Sequence, residues 1–396
     1  MQIYLDYSAT TPCREEALFT AQKVLRQKWG NPSSLHYWGQ RGAEILEIAR
    51  CRVASLIQAP TPDSIVFTSG GTEANNLALM GIAQRWSKPQ HLIISSVEHA
   101  AIAEPAKFLA QQGWQVTYLP VNRQGRINPL ELQATIQDDT RLISVIYGQS
   151  EVGTIQPIQT LSNIARSHHI PFHTDAVQVA GRIPINVEQL PVDLLSLSSH
   201  KLYGPQGAGA LYVRPGLNLQ PWLKGGGQED GLRSGTQALP AIAGFGVAAE
   251  LAAAELERES SRLISLRERL FDRLADCPYL VVTGDRLYRL PHHVSFIVVD
   301  PDANRRREKI NGKMLVRQLN LAGIGISAGS ACHSGKLSPS PVLLAMGYEE
   351  VQALAGIRLT LGHHTQDADI DWTAMVLCQI LERLLPRLVV PTQNRV

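Results

Sequence analysis

Short apolar runs that alternate with helical segments dominate the first part of the chain. Residues 192–197 are the clearest run, because Leu195 and Leu197 alternate on one face and Val192 and Leu194 lie on the other, as in a strand buried on both sides. Further strands are predicted at residues 64–68, 91–95, 116–119, 142–146 and 171–175. Because strands that alternate with helices build parallel sheets, the pattern predicts an α/β fold with helices on both sheet faces.

Helical periodicity covers residues 15–28 and 39–58, before this region, and Leu239–Leu274 after it. The last segment begins small and apolar and becomes charged, and it is longer than a typical globular helix. It therefore suits a connector that leaves one domain for another. From residue 278 onward the pattern is α+β, with strands near 279–282 and 294–299 and a helix over Gly312–Leu321.

Composition narrows the possible classes of protein. The chain has 396 residues, of which 44% are hydrophobic, enough for a large core and two domains, and its net charge of +2 gives no reason to expect nucleic acid or an acidic membrane surface. The start lacks the pattern of a secretory signal, and no apolar run reaches the ~20 residues of a membrane span. The five cysteines form no C-x-x-C pair. We therefore expect a cytoplasmic protein with reduced thiols, bound to neither membrane nor nucleic acid.

Polar side chains follow several of the predicted strands. The glycine-rich segment 68–76 precedes a helix and can bind phosphate, although ordinary helix capping gives the same pattern. His99, Asp175 and Lys201 each follow another strand, and the carboxyl ends of parallel strands meet at one edge of the sheet. Taken singly, Lys201 is as compatible with a surface position as with a Schiff-base lysine. Together, these groups are the parts that pyridoxal phosphate needs, namely an anion cup, an imidazole, an acid for the ring nitrogen and a lysine.

The second domain contributes a thiol and a guanidinium. Cys332 lies in the small-residue segment 327–335, which favours a reactive thiol, whereas Cys51 and Cys378 lie in helical patterns and are interpreted as buried structural cysteines. Arg358 interrupts the apolar residues of 357–361. A planar guanidinium held in that way suits a substrate carboxylate, and an inter-strand salt bridge is the alternative.

Motifs over nearly the whole chain resemble the cysteine desulfurases of the NifS/IscS type, in the class V branch of the fold-type I pyridoxal-phosphate enzymes. They are YLDYSATTP at 4–12, GNPSSLH at 30–36, TSGGTEANNLA at 68–78, EH at 98–99, TDAVQ at 174–178, SSHKLYGPQGAGALYV at 198–213, GGGQEDGLRSGT at 225–236, SAGSACHSG at 327–335 and IRLTLG at 357–362.

The resemblance implies a large cofactor-binding domain over 15–255, with a mostly parallel seven-stranded sheet, and a smaller α+β domain formed by 1–14 and 256–396. It implies that L-cysteine is converted to L-alanine, and that the sulfur passes as a persulfide on Cys332 to an acceptor such as an iron–sulfur scaffold protein. Lys201 would form the Schiff base, Asp175 would pair with the ring nitrogen, and His99 would stack on the ring and move protons.

The remaining site residues are also carried over from the resemblance. Gln178 would bind the phenolic oxygen of the cofactor, and Arg358 the cysteine carboxylate. Thr236 would reach the phosphate of a partner subunit, which implies a homodimer. The phosphate of the same chain would be held by Gly71, Thr72, Ser198 and His200.

One departure from the family pattern concerns the substrate pocket. Ser150 stands where these enzymes have a second asparagine that positions cofactor or substrate, so we expect an altered substrate affinity or preference. An aminotransferase, a C–S lyase or a selenocysteine lyase on the same scaffold are the rival activities, and a partner-binding scaffold without turnover is the non-enzymatic one. The adjacent histidine pairs are spaced poorly for a metal site, and we expect none.

Overall fold

The computed structural model describes residues 2–300, 310–329 and 338–385, and Cys332 therefore lies outside the described residues. The helices are α1 Glu15–Gln27, α2 Tyr37–Leu56, α3 Gly71–Ala83, α4 Ala100–Gln111, α5 Pro129–Thr135, α6 Ile158–Ser167, α7 Leu239–Leu274, α8 Gly312–Leu321, α9 Pro341–Ala345, α10 Glu350–Leu354 and α11 Asp367–Leu384. The strands are β1 Ile3–Tyr4, β2 Ile65–Thr68, β3 His91–Ser95, β4 Gln115–Leu119, β5 Thr140–Ile146, β6 Phe172–Asp175, β7 Leu194–Ser198, β8 Gly209–Val213, β9 Leu280–Val282, β10 His293–Val298, β11 Ile324–Gly325, β12 Ser327–Ala328 and β13 Gly356–Thr360.

A seven-stranded sheet in the order β2-β8-β7-β6-β5-β3-β4 forms the centre of the large part of the molecule. All of its strands are parallel to one another except β8, which runs antiparallel between β2 and β7. The predicted α/β fold with a mostly parallel, seven-stranded sheet is confirmed. Strands β2, β3 and β7 are buried along their whole length, which explains their mostly apolar sequences.

A second sheet lies in the smaller part of the molecule. Its four strands are antiparallel and have the order β12-β13-β10-β9. Chain segments from both ends of the sequence build this region, because β1 pairs in parallel with β11 and Asp6 bridges to Thr360. The small α+β unit predicted after residue 278 is therefore present, and the amino-terminal segment is attached to it.

Helix α7 contributes to both hydrophobic cores. Its first half, with Phe245 and Ala249, belongs to the core around α1, α2 and the large sheet, whereas Leu263 and Leu270 belong to the core around the small sheet. This arrangement supports the proposed division of the chain into 15–255 and the remainder. Among the described residues α7 is also the one helix long and apolar enough to cross a membrane, but 44% of its most apolar window is buried against the protein, and core helices meet the same criteria.

Candidate active site

An open cavity of about 130 Å³ lies at the carboxyl edge of the large sheet. The structure brings most of the predicted site residues to its wall: Gly71, Thr72, His99, Ser150, Asp175, Gln178, Ser198, His200 and Lys201. Arg358 lies behind this wall and donates to the carbonyl oxygen of Ser150. Thr236 is exposed and lies away from the cavity of its own chain.

Strand register explains why residues distant in sequence meet here. Asp175 ends β6, where it lies between Ile146 on β5 and Ser196 on β7. The chain leaves each of these strands at the same edge, so the residues that follow them converge. Ser150 follows β5, and Lys201 follows β7 as the sequence pattern predicts.

The first turn of α3 forms one end of the cavity. Gly71 and Thr72 line the wall there, and a methyl group added at Gly71 would lie 2.8 Å from Cγ2 of Val177 and 3.5 Å from Cβ of Ser198. Glycine therefore keeps this end of the cavity open, and the helix N-terminus directs free N–H groups and a positive dipole end toward it. Such an end is suited to a phosphate group.

His200 lies beside this cradle as a neutral imidazole. Burial, together with the charge of Lys201, lowers the pKa of His200 to about 4. Its Nδ1 lies 3.1 Å from the Thr10 hydroxyl oxygen. A neutral imidazole contributes one N–H donor to an anion, without a full charge.

Asp175 is 5% exposed, and both of its carboxylate oxygens accept hydrogen bonds. Oδ2 accepts from the side-chain amide of Asn75 at 2.7 Å, and Oδ1 accepts from the backbone N–H of Val177 at 3.0 Å. Both donors are neutral. A buried carboxylate held in this way suits a cationic group, such as a protonated pyridine nitrogen, on its open side.

His99 is fixed by its position at the start of α4. It is the N-cap residue, and its Nδ1 accepts a hydrogen bond of 3.1 Å from the backbone N–H of Ala101. Since Nδ1 acts as the acceptor, the hydrogen bond assigns the proton of the neutral ring to Nε2. The ring lines the cavity and can exchange this proton with a bound group.

Lys201 closes a short 3₁₀ turn, Ser199–Lys201, directly after β7. Its Nζ donates to the carbonyl oxygens of Ser8 at 2.6 Å and Ala9 at 2.7 Å. The Gln178 side chain donates to the same Ser8 oxygen at 2.9 Å. The amino-terminal segment therefore forms part of the site and holds the amine in place.

Arg358 makes two polar contacts at the boundary between the two sheets. Nη1 donates to the Ser150 carbonyl at 2.9 Å, and Nη2 forms an ion pair of 2.7 Å with Asp6. Arg358 thus forms a salt bridge, but its partner is an aspartate of the amino-terminal segment that lies outside the strands, whereas the alternative interpretation was a salt bridge between strands. Its Nε is buried and has no hydrogen-bond partner among the described residues, which leaves a donor for a further group.

A second buried carboxyl group lies next to Ser150. Burial raises the pKa of Glu151 to about 7, an increase that the Ser340 hydroxyl and the charge of Arg358 limit. Ser340 donates to Oε2 of Glu151 at 2.5 Å, and a methyl group added at Gly329 would lie 2.8 Å from the same oxygen. Both described ends of the segment that contains Cys332 therefore reach the residue next to the cavity wall.

Sequence reasoning missed three side chains of this region. Asn75 lies within the TSGGTEANNLA motif and Asp6 within YLDYSATTP, so the family motifs marked both residues as candidates for the site. Their hydrogen-bond partners could not be predicted from the sequence. Glu98, next to His99, is half-buried and accepts from the Ser95 hydroxyl at 2.6 Å and the Ile146 N–H at 2.7 Å. Each of the three supports a residue of the cavity or its wall.

The other cysteines lie away from the cavity. The interpretation of Cys51 as buried is wrong, because it lies on the outer face of α2 and is exposed. Cys378 is half-buried, and its contact with Cys277 lowers the pKa of the Cys277 thiol to about 7. No cluster of metal-ligating side chains occurs within residues 2–300, 310–329 and 338–385.

Comparisons with known proteins agree with this geometry. Residues 3–372 match the aminotransferase class-V family. Cysteine desulfurase IscS of Dictyoglomus turgidum is 44% identical over 97% of this chain and 95% of its own length, and cysteine desulfurase IscS 1 of Archaeoglobus fulgidus is 42% identical over 96% and 97%. The chain therefore belongs to the aminotransferase class-V family, in the group of the IscS cysteine desulfurases.

Solved structures show the same relationship. A NifS-like protein superimposes with a TM-score of 0.88 at 33% identity, covering 97% of this chain and all of the other. SspA in complex with cysteine superimposes with a TM-score of 0.79 at 34% identity, covering 91% of this chain and 99% of its own. Class-V aminotransferases and cysteine desulfurases are pyridoxal-phosphate enzymes.

Proposed function

We propose that this chain is a pyridoxal-phosphate-dependent cysteine desulfurase whose reaction takes place in the cavity at the carboxyl edge of the large sheet. The family relationship supports the activity, since relatives of nearly full length carry that name. The observation that carries the assignment of the site is the convergence of Lys201, Asp175 and His99 on one cavity.

The residues present fit the cofactor. Gly71 leaves open a cradle that a larger side chain would fill, and the adjacent helix N-terminus suits its phosphate. Asp175 would face the ring nitrogen, Gln178 the phenolic oxygen and His99 the ring. When bound, pyridoxal phosphate supplies an electron-withdrawing ring that weakens the bonds at Cα of an amino acid.

Lys201 and Arg358 would handle the substrate. The Lys201 amine would hold the cofactor and, once released, take the proton from Cα; the carbonyl oxygens of Ser8 and Ala9 stabilise its charged form. Arg358 would bind the substrate carboxylate, because its buried Nε lacks a partner in the described residues. Ser150 would shape this end of the pocket, where its hydroxyl replaces the larger amide of related enzymes.

Cys332 would accept the sulfur. Its thiolate attacks the sulfur of L-cysteine, the C–S bond breaks, and a proton replaces sulfur on the carbon, so that cysteine and one enzyme thiol give L-alanine and one persulfide. The hydrogen bond of Ser340 to Glu151, next to Ser150, and the position of Gly329 close to the same carboxyl group support this proposal, because these described residues on either side of Cys332 lie near the pocket.

Alanine formation from L-cysteine tests the function. In a C332S variant we expect normal cofactor absorption but loss of persulfide and of catalytic alanine release, and a K201A variant should lose both the lysine-bound cofactor absorption and turnover. The matched control is C51S, which removes an exposed thiol far from the cavity and should retain full activity. Undiminished alanine release by C332S would contradict the role of Cys332. Pyruvate as the main product would instead indicate a C–S lyase, and a 2-oxo acid that keeps the sulfur would indicate an aminotransferase.

The assembly and the sulfur acceptor belong to the same proposal. We assign a homodimer in which Thr236 reaches the phosphate site of the partner, which is supported by its exposed position away from its own cavity. Mass measurement in solution, together with cofactor affinity in a T236A variant, tests this: a monomer of full activity would contradict it.

The acceptor would be an iron–sulfur scaffold protein in the cytoplasm, and transfer of labelled sulfur from Cys332 to such a protein is the corresponding measurement.

A further inference from the structure

Arg358 is a buried arginine whose contacts leave part of its guanidinium available. Only 9% of the surface of Arg358 is exposed to solvent. Nη1 and Nη2 are each directed at one acceptor, the carbonyl of Ser150 and the carboxylate of Asp6, whereas Nε has no partner among the described residues. A buried donor without a partner is costly, so a ligand acceptor at this position would gain affinity.

Asp6 is held firmly by the strand that carries Arg358. The backbone of Asp6 forms a β-bridge with Thr360 on β13. Two residues later, the backbone N–H of Ser8 donates to the Thr360 hydroxyl at 2.9 Å. The Tyr4 hydroxyl donates to the carbonyl oxygens of Asp6 at 2.9 Å and Thr10 at 3.0 Å. The carboxylate therefore has a fixed position relative to the guanidinium, although the two residues are 352 positions apart.

We infer that Asp6 is a positioning residue for the substrate carboxylate and acts through Arg358. With the Ser150 carbonyl it fixes the plane of the guanidinium from two sides and leaves Nε–H, the donor without a partner among the described residues, for the substrate carboxylate. The fork of an arginine binds a carboxylate well only when its plane is held in this way. This inference rests on the proposed role of Arg358 in substrate binding.

Asp6 could instead compete with the substrate carboxylate for Arg358, and this role predicts the opposite effect on substrate binding. If Asp6 merely occupied the place of the substrate carboxylate, removing its charge would improve substrate binding. If Asp6 positions Arg358, its loss leaves the Ser150 carbonyl as the remaining anchor and weakens substrate binding. The D6N variant is informative because its amide oxygen can still accept the hydrogen bond from Nη2 without the charge.

The experiment measures KM and kcat for alanine formation in the purified holoenzyme. We expect D6A to raise KM for L-cysteine by about tenfold to a hundredfold, as for loss of a hydrogen bond to a charged group, with kcat changed by less than about threefold. D6N should recover most of the affinity. The matched control is D371A, which removes another aspartate that pairs with an arginine, Arg269, but lies remote from the cavity; it should leave KM unchanged.

A double-mutant cycle separates this inference from the function on which it rests. If Asp6 acts through Arg358, adding D6A to R358A should not raise KM further. Additive effects, or a lowered KM in D6N, would overturn the positioning role alone. An unchanged KM in R358A would remove both the carboxylate role of Arg358 and this inference. Absorption of the bound cofactor shows whether the pocket of each variant is intact. If D6A does not bind cofactor, D6S replaces it, because the serine side chain is too short to reach Arg358.

Discussion

Glu98, which is half-buried, and the buried Asp175 are neighbouring acids that differ in the hydrogen bonds their carboxyl groups accept. Asp175 accepts a hydrogen bond on each oxygen, whereas Glu98 accepts both of its hydrogen bonds on Oε1 and has no partner for Oε2 within the described residues. Burial raises the pKa of Glu98 from 4.5 to about 8, with the charge of Asp175 acting in the same direction. Glu98 is therefore protonated in the folded protein at neutral pH.

The Glu98 carboxyl predicts a defined dependence of stability on pH. Because its pKa is higher in the folded chain, folding takes up a proton between pH 4.5 and 8, and the stability contribution present below pH 4.5 is lost as the pH rises to 8. An E98Q variant lacks this titration. Its melting temperature relative to the parent should therefore be more favourable at pH 8 than at pH 5.5, and a difference that does not change with pH would contradict the prediction.

The position of a single site residue could be predicted where the residues next to it in the sequence indicate the end of a strand. Lys201 and His99 each follow a buried strand and Asp175 ends one, and strand ends are visible in the sequence. Asn75 and Asp6 could not be predicted, because their partners lie 100 and 352 residues away and only the folded chain pairs them.

At the scale of elements, the apolar pattern predicts six of the seven strands of the large sheet but not β8. The reason lies at Gly209, where a methyl group would come within 2.5 Å of the Gly70 carbonyl carbon, so close packing requires a residue with little strand preference. Helix α11 was also not predicted. Its first turns are acidic, and these acids gain partners only when Arg269 of α7 packs beside Asp367 and Asp371.

Contact between α2 and α7 depends on a glycine. A methyl group added at Gly246 would lie 2.7 Å from Cα of Ala49, which cannot move away as a flexible side chain could. We expect G246V to destabilise the protein by about 1–3 kcal/mol or more through overpacking. The control is A253V, at an exposed position of the same helix, which should cost no more than the ~0.7 kcal/mol of helix propensity. Equal melting temperatures for the two variants would contradict this account.

At the scale of the whole molecule, the amino-terminal segment connects the small sheet to the cavity. Leu5 donates to Gly325 and accepts from Thr360 through its backbone, and a few residues later Ser8 and Ala9 reach Lys201. The cavity is therefore built from both parts of the fold. The sequence predicted the two parts, but not that this short segment would join them, because its pairing with β11 and β13 involves backbone groups that carry no sequence signal.

Removing the anchor of this segment should weaken the cofactor site. Deletion of residues 2–5 eliminates β1, so the carbonyl oxygens of Ser8 and Ala9 lose their fixed position. We expect a lower affinity for pyridoxal phosphate, measured by titration of its absorption. An I3A variant keeps the backbone pairing and should retain the affinity; equal losses in the two variants would show that burial of Ile3, not strand pairing, is what matters.

The ion pair between Asp6 and Arg358 also has a consequence for biosynthesis. A growing polypeptide contains Asp6 long before Arg358, which the ribosome adds 352 residues later. Contacts of such long sequence separation form late in folding. A nascent chain can thus assemble much of the large sheet, yet the pairing of Asp6 with Arg358 forms only after synthesis of β13.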